Sequence, residues 1–160
     1  MRVNRLRVFV LSLSALGVLS LSAAGPTGVD SWSASQLKDF EKSLAAKMSP
    51  QKVASQTLAT YANHNMLVAH REGNGQGEVH ERQVDVMIGQ SGEAIVRVGG
   101  ELVDGRQTRP HEMIGSAVRG GVEKRLGPGD VLHIPAKTPH QMMVASGQQV
   151  TYFVVKINTP

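Results

Sequence analysis

From Thr57 to its end the chain is cut into short runs rich in valine, isoleucine and leucine, separated by glycine-bearing turns. TLATY, NMLVAH, VDVMIG, EAIVRV, ELVD, EMIGSAV, VEKRL, VLHI, HQMMVA and VTYFVVKI are too short for globular helices and carry the residues that favour a pleated backbone. Many short strands at this spacing predict an all-β sandwich or barrel. Two hairpins are expected, one turning at Gly99-Gly100 in EAIVRVGGELVD and one at Ser146 to Gln148 in QMMVASGQQVTYFVV.

A different texture precedes the strands. In SASQLKDFEKSLAAKMSP, Leu37, Phe40, Leu44 and Met48 recur at helical spacing behind Ser33 or Ser35 as N-cap, with Pro50 as the stop. One amphipathic helix is predicted here, a lid on a sheet or a dimer element. Ahead of it, MRVNRLRVFVLSLSALGVLSLSAAGPTG runs from Arg2, Arg5 and Arg7 through an apolar stretch to small residues at Ser22 and Ala24. That order predicts a secretory signal peptide cut after Ala24, and hence export to the periplasm or beyond the cell with no stable membrane anchor afterwards. The expected organisation is signal 1–24, linker and helix 25–56, and barrel domain 57–160, one domain for a chain of 160 residues.

Charge and cysteine content exclude some classes. The net charge is +4, but residues 1–24 hold three arginines and no acid, so the remainder carries only +1. No cluster of lysine or arginine is left to track a phosphate backbone, and nucleic acid is not expected as a partner. The chain contains no cysteine, so the fold rests on its core and not on disulfides.

Within the strand region, GEVHERQVDVMIGQSGE places Glu78 and His80 two apart, so that both leave the same face of a strand. Asp85 follows after a turn or bulge and begins an inward series with Met87. An imidazole and two carboxylates inside a barrel need a partner, and a divalent cation is an economical one. Otherwise Glu78 pairs with a base such as Arg71 or Arg82, while Asp85 and His140 hydrogen-bond within the pocket. GDVLHIPAKTPHQ supplies a turn at Gly129-Asp130, a strand, and His140 behind the fixed backbone of Pro139. His133 and Met142 are assigned to the pocket with Met87, methionine serving as adaptable filler. His64, His70 and His111 are read as surface or rim residues, and Arg106 and Arg109 as solvated or available to an anionic substrate. HREGNGQGE leads from strand to strand, so it lacks the helix N-terminus of a phosphate loop and is read as a mobile loop at the barrel mouth.

At these residues the sequence resembles the cupin superfamily. Gly129, Pro135 and His140 match the second cupin motif, with Lys137 where the usual pattern has glycine. Glu78, His80, Asp85 and Gly92 stand at the two histidines, the glutamate and the glycine of the first. The resemblance covers about residues 64–157 and implies a jelly-roll, double-stranded β-helix barrel. It implies Glu78, His80, Asp85 and His140 as ligands of manganese, iron or zinc, and a homodimer formed by sheet contact. Two functions follow as expectations: a metal-dependent oxygenase, isomerase or lyase acting on a small organic molecule, or a metal-free module binding a small ligand or sugar.

Overall fold

The computed structural model describes residues 28–160; the predicted signal segment lies outside the described residues. Helix α1 spans Ala34–Ala45. Ser33 caps it: its Oγ accepts from the Gln36 backbone N–H, and Gln36 Oε1 accepts from the Ser33 N–H at 2.8 Å. The helix ends ahead of Pro50, because Ala46 N–H bonds back to Lys42 O and Lys47 N–H to Leu44 O, closing the last turn. Among the described residues no helix is long and apolar enough to cross a membrane.

The strands are β1 Val53–Thr60, β2 His64–Arg71, β3 Gly77–His80, β4 Gln83–Gly92, β5 Ala94–Val98, β6 Glu101–Val103 and β7 Arg106–Arg109. They continue with β8 Glu112–Gly115, β9 Ala117–Arg119, β10 Val122–Leu126, β11 Val131–Ile134, β12 His140–Met143 and β13 Val150–Asn158. All pair antiparallel, in a five-stranded sheet β1-β2-β13-β4-β11, a six-stranded sheet β10-β5-β12-β3-β8-β7 and a short ribbon β6-β9. The barrel begins at Val53, ahead of the predicted boundary at 57, because Val53 to Gln56 pair in register with Arg71 to Val68 of β2.

The core lies between the two large sheets. Ala69, Met87, Ile134, Val150, Tyr152 and Val154 from one meet Ala94, Val96, Leu126 and Met142 from the other. Helix α1 covers β1 and β2 from outside, burying Leu44.

Neither predicted hairpin forms. Strand β5 pairs with β10 and β12, and β6 pairs with β9. Gly99-Gly100 therefore bends one long strand out of the six-stranded sheet, and Gly120-Gly121 bends its partner at the same level. A Cβ on Gly100 would lie 2.3 Å from Arg119 O, and one on Gly121 2.5 Å from Val98 O, so the two backbones cross where no side chain fits. The turn at Ala145–Gln148 does form, with Gln148 N–H bonded to Ala145 O at 3.0 Å, but it carries the chain from one sheet to the other. Strand β7 adds an exposed edge to β8. The glycine-rich loop 72–76 is tied down: Gly75 N–H donates to Met142 O at 2.7 Å, Gln141 Nε2 to Gly75 O at 2.8 Å, and Asn74 Oδ1 accepts from Val144 N–H at 2.9 Å.

Candidate metal centre

Four strands bring five polar side chains together between the sheets. On β3, Glu78 and His80 share the inward face, and His140 at the start of β12 pairs in register with Glu78. From the opposite sheet, Asp85 on β4 stands in register with Lys156 on β13. Ligand atoms of Glu78, His80 and His140 lie within 4.8 Å of one another. His80 Nε2 is 3.6 Å from Glu78 Oε2 and 3.4 Å from Asp85 Oδ2, and His140 Nε2 is 3.5 Å from the same Asp85 oxygen.

Asp85 is the hub of the cluster. Lys156 Nζ donates to Oδ1 at 2.8 Å and Oδ2 at 2.9 Å, and also lies 3.0 Å from His80 Nε2. Burial would raise the Asp85 pKa, but the adjacent imidazoles of His140 and His80 and the Lys156 charge outweigh it and hold the carboxyl well below the usual carboxylate range.

The His140 imidazole is aimed from behind. His140 Nδ1 donates to Thr138 O at 3.0 Å, while its buried Nε2 has no hydrogen-bond partner. Burial lowers the His140 pKa; Asp85 and the Thr138 carbonyl raise it by more, and the net shift is upward. For His80, Nε2 lies 3.0 Å from the Lys156 ammonium, and Nδ1 faces Glu112 Oε2 at 3.7 Å. Arg109 clamps that carboxylate at 2.6 and 2.7 Å. The carbonyl of His80 accepts from Lys137 N–H at 2.7 Å. Lys137 has φ +64, a left-handed backbone that a glycine adopts without strain, which accounts for the glycine usual at this place in the cupin motif.

Glu78 is flanked by Arg71, whose Nη2 is 3.8 Å from Oε1 and whose Nε donates to the Tyr152 hydroxyl at 3.0 Å. Burial lowers the Arg71 pKa, but Tyr152 and Glu78 favour the cation and raise it overall. Met87 and Met142 are buried in the wall of an inner cavity of ≈ 160 Å³ shared with Tyr152 and Val154. Outside it lies a mouth of ≈ 670 Å³ lined by polar groups such as Thr57, Asn65, Gln83 and Asn158, and Glu78 and Lys156 border both spaces.

Sequence placement and structure differ at two histidines and at two residues beside the cluster. His133, assigned to the pocket, is exposed: Leu132 and Ile134 face inward across from Met87 and Asp85, so alternation turns His133 and Val131 outward. His70, read as surface or rim, is 3% exposed and bonded to Thr151. Lys156 is not singled out by the sequence, although period two from the inward Val150, Tyr152 and Val154 puts it on the barrel's inner face. Glu112 is missed as well, because its meeting with His80 depends on the pairing of β3 with β8.

The residues fit a divalent cation. Two imidazole nitrogens and a carboxylate oxygen suit manganese, iron or zinc, and a cation would satisfy the orphaned His140 Nε2. Both Asp85 oxygens accept from Lys156, at 2.8 and 2.9 Å.

No family model matches the sequence, and no curated protein matches it. Solved structures do. TT1209 from Thermus thermophilus is 25% identical over 74% of this chain and 94% of that one, with a TM-score of 0.53. A double-stranded β-helix protein from Klebsiella pneumoniae is 17% identical over 69% of this chain and 80% of its own, TM-score 0.51. A cupin-2 domain protein from Rhodospirillum rubrum is 14% identical over 67% of this chain and 60% of its own, TM-score 0.50. At these identities the likeness speaks to architecture alone: the chain has the cupin fold, a double-stranded β-helix, preceded by one N-terminal helix.

Proposed function

We propose that the protein holds a divalent metal cation at Glu78, His80 and His140 and presents a small organic molecule to it from the adjoining cavities. The observation that carries this reading is the buried His140 Nε2, which lacks any hydrogen-bond partner and points among carboxylates and a second imidazole. A cation bound there supplies a Lewis acid and a template, with open positions suited to oxygenase, isomerase or lyase chemistry. The chain's own residues do the rest. Thr138 O fixes the His140 ring, Glu112 sets a negative charge beside the His80 ring, Arg71 braced on Tyr152 steadies Glu78, and Met87 and Met142 give the inner cavity an adaptable apolar wall. The fold hosts many chemistries and does not choose among them.

Metal analysis of untagged protein tests the reading. About one equivalent of manganese, iron or zinc is expected, lost in His140→Ala; less than about a tenth of an equivalent, unaltered by that substitution, overturns it.

A second reading, metal-free binding of a small ligand or sugar, is favoured by Lys156, which already satisfies Asp85 and His80. Ligand binding that survives complete chelation would select it. Export follows from the N-terminal segment and homodimerisation from the cupin resemblance. Intact mass of the exported fraction, with an end at Gly25, and light scattering test the two.

A further inference from the structure

We infer that Lys156 is a built-in competitor for the metal: its ammonium fills the space between Asp85 and His80 in the metal-free protein, and its departure on metal binding frees Asp85 as a fourth ligand. This rests on the metal reading above and adds a regulatory part to the same site.

The geometry is that of a cation already seated. Lys156 Nζ reaches both oxygens of Asp85, at 2.8 and 2.9 Å, and takes the lone pair of His80 Nε2 at 3.0 Å. One imidazole nitrogen has a single lone pair and serves an ammonium or a metal, not both. The two occupants therefore exclude each other at His80.

Charge points the same way. Asp85 is 2% exposed, and a carboxylate buried to that degree needs a positive partner. Without metal, Lys156 is that partner, held there because Lys156 and Asp85 are direct cross-strand neighbours on β13 and β4. With a dication present, Glu78 and Asp85 together neutralise it. Keeping the ammonium in place as well would set three positive charges against two negative ones in a buried space, a strongly unfavourable balance.

The displaced side chain has somewhere to go. Lys156 borders the inner cavity and also the wide polar mouth, and a four-carbon stem swings from one to the other by rotamer changes alone. Metal affinity is then reduced by the fraction of molecules with the ammonium seated.

The experiment compares the affinity of Zn²⁺ and of Mn²⁺ for the wild-type protein and for Lys156→Met, by competition with a chromogenic chelator. Lys156→Met is expected to bind about ten-fold more tightly or better, as follows if the ammonium is seated in at least nine molecules of ten. Adding Asp85→Asn is expected to cancel the gain, because the freed ligand is Asp85. Unchanged or weaker binding in Lys156→Met, with wild-type protein still binding, overturns the role of Lys156 and leaves the metal centre standing. No binding by either protein overturns both. Should metal-free Lys156→Met not fold, Lys156→Gln, which keeps a neutral donor to Asp85, is measured to the same criteria.

Discussion

His70 and His140 are buried alike, 3% and 4% exposed, yet the molecule treats them in opposite ways. His70 lies on the outer face of β2, opposite in parity to the core residue Ala69. Its Nδ1 is paired with Thr151 Oγ1 at 2.8 Å, and its Nε2 lies 3.4 Å from Glu72 Oε1. Both ring nitrogens have partners, and the ring closes a local polar group. His140 has one nitrogen fixed by a carbonyl and the other bare, facing Asp85 at 3.5 Å. Burial alone does not separate the two; what sets His140 apart is that its second nitrogen lies among Glu78, His80 and Asp85.

That contrast breaks or sharpens by substitution. His140→Ala should show the largest effect, a loss of metal affinity beyond about 100-fold, since even the carboxylate behind a ligating histidine is worth about 10–100-fold. Glu112→Gln should have a smaller effect, up to about ten-fold, because its charge faces His80 at 3.7 Å without entering the triad. Equilibrium metal competition reads both, and equal losses would erase the distinction between a ligand and its support. His70→Leu should leave metal affinity within about two-fold while lowering unfolding free energy by about 1–3 kcal/mol, the cost of stranding the fully buried Thr151 hydroxyl. Denaturant melts measure it, and a metal defect there would show that the two histidines belong to one system. His133→Ala, on an exposed face, should change stability by less than about 0.5 kcal/mol and metal affinity not at all.

The sequence made the site more legible than the topology. Glu78 and His80 at spacing two, Asp85 in phase with Met87, and His140 behind Pro139 are local patterns, and cupin resemblance joined them into one set. Lys156 was within reach of the same period-two rule, but a lysine near the end of an apolar strand reads first as the strand's solvated end. What local reasoning misplaced was pairing partners. A Gly-Gly step permits a tight hairpin, and it equally permits two strands to cross at backbone contact; which one forms depends on residues 120 and 121, some twenty positions away. The turn at 145–148 is likewise correct in its local geometry and wrong in what it connects, because sheet membership is decided by distant strands.

The division of the centre between two sheets has a consequence for how the chain reaches its native state. Glu78, His80 and His140 come from β3 and β12, whereas Asp85 and Lys156 come from β4 and β13, so the cluster exists only after the sheets have closed on each other. Contacts of such long sequence separation form late, and a cation that takes Asp85 in addition to the triad of β3 and β12 binds the finished barrel in preference to any partly assembled chain. Metal would therefore act on the unfolding rate more than on the folding rate, as a clasp fastened last and released first.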